Sequence, residues 1–299
     1  MLKSLQTFVE LAKAKTGKKI AVAAAEDKTT LQALKRIVEE GIATPILVGD
    51  EQKIQQICNE IDFDIRSFQL IDVKVPFKAC QKAVELVREG EADVLTRGLL
   101  STPDYLRPIL NKEKGLKNAR LVSHAAFLEM PTYHKVFAFT DSGINIAPDV
   151  NDKALMIQNC VKVFHSVGID NPKVSVMAAT EGVKTAMPST IDAAILTQMN
   201  RRGGIKGCVV DGPLSVDLTF SKESVEHKGM ETPVGGDADL ILLPDINAAN
   251  AFYKSCTFLG GAKGASFIMG TMAPIDFPSR SDSIETKFYS MACVVAQTK

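Results

Sequence analysis

KKIAVAAAEDKTTLQALKRIVEEGIATPILVGD, residues 18–50, reads as a strand, a helix and a second strand in order. The runs at 18–25 and 44–50 are apolar and of strand length. Between them, Leu31, Leu34, Ile37 and Val38 share one face at helical spacing, and Gly41 follows as a C-terminal stop. That order predicts a βα repeat and a parallel sheet. The same alternation continues through strands expected at 92–98, 119–127, 135–141, 173–179, 207–212, 238–244 and 265–270. No long all-β or all-α block interrupts it, so the expected class is α/β throughout.

At 299 residues the chain exceeds what one compact core usually supports, so two domains are expected. Apolar content drops at NKEKGLKNAR, residues 111–120, and again at LGGAKGA, residues 259–265. Two crossings give a discontinuous first domain, 1–116 plus 262–299, and a second domain at 117–261. A cleft between them would draw residues from both.

Acidic and basic residues balance at 35 each with no long run of either sign, which argues against nucleic acid and membrane surfaces and points to small-molecule substrates. Cys58, Cys80, Cys160, Cys208, Cys256 and Cys293 stand singly among apolar neighbours, the pattern of reduced, buried thiols in a cytosolic protein. The first fifteen residues lack the apolar run of a signal peptide, and no segment approaches the roughly 20 apolar residues that span a bilayer. The expected location is cytoplasmic. Neither a Gly-x-Gly-x-x-Gly turn after the first strand nor a Gly-x4-Gly-Lys-Ser/Thr loop is present, and GGAKG precedes a strand, so it reads as a turn.

In open α/β sheets, ligands bind beyond the carboxyl ends of the strands. After 92–95 comes TRGLLSTPDYLRPIL, with Thr102 as N-cap and Pro103 at the first helical position. Either this is an ordinary capped helix, or its N–H groups receive a phosphate with Ser101, Thr102 and Arg97 or Arg107 around it. After 135–141, Asp141 and Asn145 make a polar loop, with the next helix opened by Asn151 or Asp152. Asp245, Asn247 and Asn250 surround a helix start after 239–243. Asp211 and Asp217 lack a third acid or nearby His, so no metal is expected. His124, His134, His165 and His227 are dispersed; His165 reads as structural, and His124 as a core histidine or one reaching the cleft.

PSRSDSIETKF, residues 278–288, opens a final helix near residue 282, and both Ser279-x-x-Asp282 and Asp282-x-x-Glu285 fit a capping box. Arg280 and three serines at one helix start exceed what a cap needs.

Together, RGLLSTPDYLRPIL, LVSHAAFLEMP, FTDSGINIAPDVNDKA, VVDGPLSVDLTFS, GGDADLILLPDINAANAFYK, LGGAKGASFIMG and PSRSDSIETK resemble the phosphate acetyltransferase and phosphate butyryltransferase family. These pieces cover most of the chain after residue 90 in the family's order. The SHAAFLEMP and SRSDSIETK wording is closer to the butyryl branch, with the acetyl branch as the alternative. The resemblance implies two α/β/α domains around a cleft, like isocitrate and isopropylmalate dehydrogenases, in a homodimer or higher homo-oligomer. It implies acyl-CoA and phosphate as substrates, with no metal and no tightly bound cofactor. The family's Ser-Arg pair matches Ser279 and Arg280, and a cleft Arg matches Arg107. The acetyl enzymes' proposed Asp base falls on Thr286, which leaves Glu285 or Asp282 as base. Asp141, Asn145, Ser101, Thr102 and Arg97 are then expected around phosphate, and Asp245, Asn247 and Asn250 around CoA. An NAD-dependent hydroxyacid dehydrogenase or a non-catalytic acyl-CoA sensor on this fold are remoter alternatives.

Overall fold

The computed structural model describes residues 2–299, and the chain divides into two compact units, Met1–Leu5 with Ser123–Lys263 and Gln6–Val122 with Gly264–Lys299. Elements are numbered along the chain. The second of these, the terminal unit, holds α1 (Gln6–Lys13), β1 (Lys19–Ala23), α2 (Lys28–Glu39), β2 (Thr44–Gly49), α3 (Glu51–Glu60) and β3 (Gln69–Asp72). It continues with α4 (Pro76–Arg88), β4 (Val94–Arg97) and α5 (Thr102–Ile109), and after the chain returns, with β10 (Lys263–Met269), β11 (Ile275–Asp276) and α11 (Ile284–Ala296).

Its strands lie in the order β3-β2-β1-β4-β11-β10. The opening βα repeat forms as expected: Lys19 to Ala23 pair in parallel with Thr44 to Val48, and Ile20 to Ala23 with Val94 to Arg97. β1 is buried after its first residue, and α2 turns Leu31, Ala33, Leu34 and Ile37 inward. α11 is buried from Thr286 to Ala296, which accounts for its being apolar nearly all round.

The central unit holds β5 (Ser123–Glu129), β6 (Phe137–Thr140), α6 (Val150–Ser166), β7 (Lys173–Met177), α7 (Pro188–Arg201) and β8 (Val209–Leu214). Then follow α8 (Val216–Phe220), α9 (Lys222–His227), β9 (Leu240–Leu242), α10 (Ile246–Lys254) and a π-helical turn at Ser255–Leu259. The strand order is β5-β6-β9-β7-β8. Phe137, Phe139, Leu214, Leu218, Ile241 and Tyr253 form one core here.

The sheet is mixed rather than parallel throughout. β5 pairs antiparallel with β6, and β10 antiparallel with β11. The connections at 130–136 and 270–274 are too short for a crossover helix, so each pair closes as a hairpin. Strands β3 and β11 escape the sequence pattern: β3 is a half-buried edge strand and β11 has 2 residues. Three helix starts also move by a residue or two. Ser101 caps α5 by accepting from the Asp104 N–H, with Thr102 already helical. Asp149 caps α6, accepting from Asn151 and Asp152, and Ser283 caps α11, accepting from the Thr286 N–H. Each short side chain sits in extended backbone and reaches an N–H two or three residues on. No helix among the described residues is long and apolar enough to cross a membrane.

Candidate active site

Within the terminal unit, β4 and β11 run parallel, with Leu95 opposite Ile275. Their carboxyl ends deliver the β4–α5 loop and the Ser279–Arg280 turn to one place. Arg97, the last residue of β4, is only 4% exposed. Its Nε and Nη2 donate to the Leu100 carbonyl at 3.2 and 2.6 Å, Nη2 also to Thr102 Oγ1 at 3.3 Å, and Nη1 to the Pro278 carbonyl at 3.3 Å. Its guanidinium lies 5.8 and 5.7 Å from the Tyr105 and Phe277 ring centroids. Burial holds the Arg97 pKa below its usual value; Arg280 acts the same way, and Tyr105, Asp276 and Asp282 act against it. Arg97 and Arg280 therefore feel each other's charge.

Behind Arg97 sits Asp276, fully buried. Its Oδ1 accepts from the Arg97 N–H at 3.0 Å, and its carbonyl accepts from Tyr105 Oη at 3.2 Å. Burial pushes the Asp276 carboxyl up to about 7, against the Arg97 N–H, the Thr96 hydroxyl and the Lys287 and Arg97 charges. Thr96 is near enough to exert that pull, yet neither Thr96 Oγ1 nor Asp276 Oδ2 has a well-formed hydrogen bond. A proton on Asp276 would add a second donor beside the Thr96 hydroxyl.

The turn at 279–282 is closed by its own groups. Asp282 Oδ2 accepts from the Ser279 N–H at 2.7 Å, and the Asp282 N–H donates to the Ser279 carbonyl at 3.0 Å. Ser279 Oγ lies 3.1 Å from Ser281 Oγ. The back-reaching half of the Ser279-x-x-Asp282 box is thus present and closes the turn, while Ser283 caps α11. Ser279 is half-buried, Arg280 exposed, and Glu285 half-buried in the first turn of α11. Thr286, where an Asp base was considered, is buried and its hydroxyl accepts from Ser283 Oγ at 3.2 Å.

Arg107 stands apart from this cluster. Two residues along α5 from Tyr105, it lies on the helix's other side, exposed, 5.7 Å from the Phe77 ring centroid. It lines a groove between α4 and α5 with Lys78, Lys82, Arg88 and Lys114, five cations against Glu85 and Glu89.

In the central unit, the loops after β6 and β9 come together. The Ile246 N–H donates to the Ile146 carbonyl at 3.2 Å, and Asn250 Nδ2 to the Ser142 carbonyl at 3.3 Å. Asp141 is buried and held by the loop and by the neighbouring β5: it accepts from the His124, Gly143 and Ile144 N–H groups at 2.9 Å and from Asn145 Nδ2 at 2.6 Å. Its carboxylate organises the loop. Asp245 caps α10, accepting from the Asn247 and Ala248 N–H groups, while Asn247 is exposed. His124 Nδ1 accepts from the Ser142 N–H at 3.3 Å and lies 3.9 Å from Asp141 Oδ1; burial depresses its pKa to about 4, against the pull of Asp141. Asp217 accepts from Ser215 and Lys228, which holds its carboxyl low, at about 2. His165 bonds the Gly207 carbonyl from the last turn of α6 at 2.9 Å.

Sequence reading missed Asp276, Tyr105 and Lys287, each buried and polar. A lone acid in the apolar PIDFP was the visible signal for Asp276; Lys287 and Tyr105 looked like ordinary helix residues.

The fold is of the α/β kind found in solved phosphotransacylases. A branched-chain phosphotransacylase from Enterococcus faecalis superposes with a TM-score of 0.83 at 31% identity, covering 94% of this chain and 100% of that one. The family described as phosphate acetyl/butaryl transferase matches residues 4–78 and 74–295. A phosphate butyryltransferase of Clostridium beijerinckii is 43% identical over 98% of this chain and 97% of its own length. A phosphate acetyltransferase of Thermotoga maritima is 42% identical over 96% of this chain and 97% of its own. The chain belongs to the phosphate acetyl/butyryl transferase family.

Proposed function

We propose that the protein interconverts acyl-CoA and phosphate with acyl phosphate and CoA, butyryl-CoA being the first substrate to try. What carries the reading is the Ser279–Arg280 turn, backed by Asp282 and set beside the N-terminus of α5 in a chain of this family. The two units are read as α/β/α domains of the isocitrate and isopropylmalate dehydrogenase kind, in a cytoplasmic homo-oligomer. CoA and phosphate enter as substrates, with no resident cofactor or metal.

A thiol with a pKa near ~8.5 is only a few per cent ionised at neutral pH, so a positioned carboxylate helps. We read Glu285, in the first turn of α11, as the group that takes the CoA proton, with Asp282, which accepts from the Ser279 amide, as the alternative. Ser279 orients the sulfur by hydrogen bond. The thiolate attacks the acyl phosphate carbonyl, and the C–O bond to phosphate breaks with no covalent enzyme intermediate. Arg280, with the amides of Ser101 and Thr102, meets the growing charge on the carbonyl oxygen and the departing phosphate; one such donor is worth about 3–4 kcal/mol. In reverse, phosphate attacks the thioester and the CoA thiolate recovers its proton from Glu285. Arg107 and the cations around it suit an anionic part of CoA remote from the reacting atoms. Asn145, Asn247 and Asn250 are read as further substrate contacts.

A phosphate acetyltransferase is the second reading, favoured by the Thermotoga maritima relative. The test is release of free thiol from butyryl-CoA and acetyl-CoA, with and without phosphate. Phosphate-dependent release, faster with butyryl-CoA, is expected. Release that ignores phosphate, or none, would overturn the reading.

A further inference from the structure

We infer that Arg97 is a positioning residue that holds the Ser279–Arg280 turn against the start of α5, and is not itself a phosphate ligand. The inference rests on the function proposed above. Arg97 was expected near phosphate, and an arginine at a strand end beside a helix start invites that role. Its surroundings speak otherwise. Four hydrogen bonds run to protein acceptors from a guanidinium that has five N–H groups. With 4% of its surface exposed, little of it is offered to a ligand.

Those four bonds join three segments. Leu100 belongs to the β4–α5 loop, Thr102 opens α5, and Pro278 is the residue immediately before Ser279. The root of the side chain is held as well, because the Arg97 N–H is taken by Asp276 on the neighbouring strand. Asp276 is held in turn by Tyr105, whose ring lies beneath the guanidinium. So a single rigid fork sets where the turn leaves β11 relative to the helix N-terminus. A lysine cannot reproduce this, since its three donors radiate from one atom and do not span the Leu100 and Pro278 carbonyls. The geometry matters because displacing a catalytic group by about 1 Å can cost on the order of 10²-fold in rate.

Two measurements test this, one of them independent of turnover. In the thiol-release assay, Arg97→Lys and Arg97→Met are expected to lower kcat by about 10²-fold while KM for phosphate stays within about 3-fold. In an Arg280→Ala background the same substitutions are expected to cost only a few-fold, because the group they position is gone. A large rise in KM for phosphate with kcat kept would make Arg97 a ligand. A full cost persisting without Arg280 would make it merely structural. The second measurement is trypsin cleavage after Arg280 in the intact protein, well below the melting temperature. Arg97→Met is expected to speed that cut relative to other sites, with Thr102→Val intermediate; an unchanged rate overturns the inference. A wild-type protein without phosphate-dependent thiol release would sink the proposed function and leave the cleavage result to decide the role of Arg97.

Discussion

Asp27 and Lys287, 260 positions apart in the chain, meet at 2.7 Å. Asp27 caps α2, and Lys287 comes from the first turns of α11, two residues after Glu285. The ammonium also donates to the Thr29 and Thr30 hydroxyls at 2.5 and 3.1 Å, so all three of its protons have partners. This pair anchors the start of the helix that follows the Ser279 turn.

Lys287 is 3% exposed, and removing one partner of a buried pair typically costs about 3–5 kcal/mol. Lys287→Met is expected at the low end, about 3 kcal/mol by urea unfolding, because the Asp27 side chain keeps 21% exposure and its cap bonds. Burial alone would raise the Asp27 pKa, but the bonds from Lys287 and Thr30 bring it below its usual value. That stability is present above the unfolded carboxylate pKa and is lost as pH falls through the lowered one. Lys287→Met should therefore flatten the acid limb of stability against pH.

His124 has the opposite charge type and the same acid sensitivity. Its folded pKa is about 4 against an ordinary 6.5, so between those values the unfolded chain binds the extra proton. Stability is full above pH 6.5 and falls by up to about 3 kcal/mol on the way to pH 4. His124→Gln is expected to remove that slope in urea melts taken at half-unit pH steps. A slope unchanged in the variant would mean the imidazole is not the group responsible.

The α/β class was legible because β1, α2 and β2 each bury one pattern at one period, and local pattern is what periodicity reports. Ser279, Arg280 and Asp282 were legible as a cluster because they are adjacent in the chain. The partners that hold them were not. Arg97 reaches Pro278 across 181 positions, and Asp27 reaches Lys287 across 260. Such bonds leave no periodic trace, since each end looks like a cap or a helix cation in its own segment. The hairpins failed for a related reason: an apolar run says that a strand is buried, and the length of the connection sets its direction.

Asp276 supplies a pH test of opposite sign. Its folded pKa of about 7 lies above the ordinary carboxylate value of 3.8, so its contribution is full below pH 3.8 and is lost as pH rises through 7. The span corresponds to up to about 4 kcal/mol. Asp276→Asn keeps an acceptor for the Arg97 N–H and adds a donor for Thr96. Relative to wild type it is expected to gain stability as pH rises from 4 to 7, levelling off near 8. A constant difference between the two proteins across that range would show that Asp276 does not change protonation there.

Glu285 and Asp282 can be separated by substitution. Asp282→Asn keeps an oxygen for the Ser279 N–H and loses the charge that strengthens the bond, so a drop of about 10-fold in kcat is expected. Glu285→Gln removes the proposed base and should lower kcat by about 10²–10⁴-fold. The measurement is kcat at one fixed pH in the direction of acyl phosphate plus CoA. If Asp282→Asn shows the loss of about 10²–10⁴-fold and Glu285→Gln does not, the base lies within the turn, and its bond to the Ser279 amide must open during each turnover.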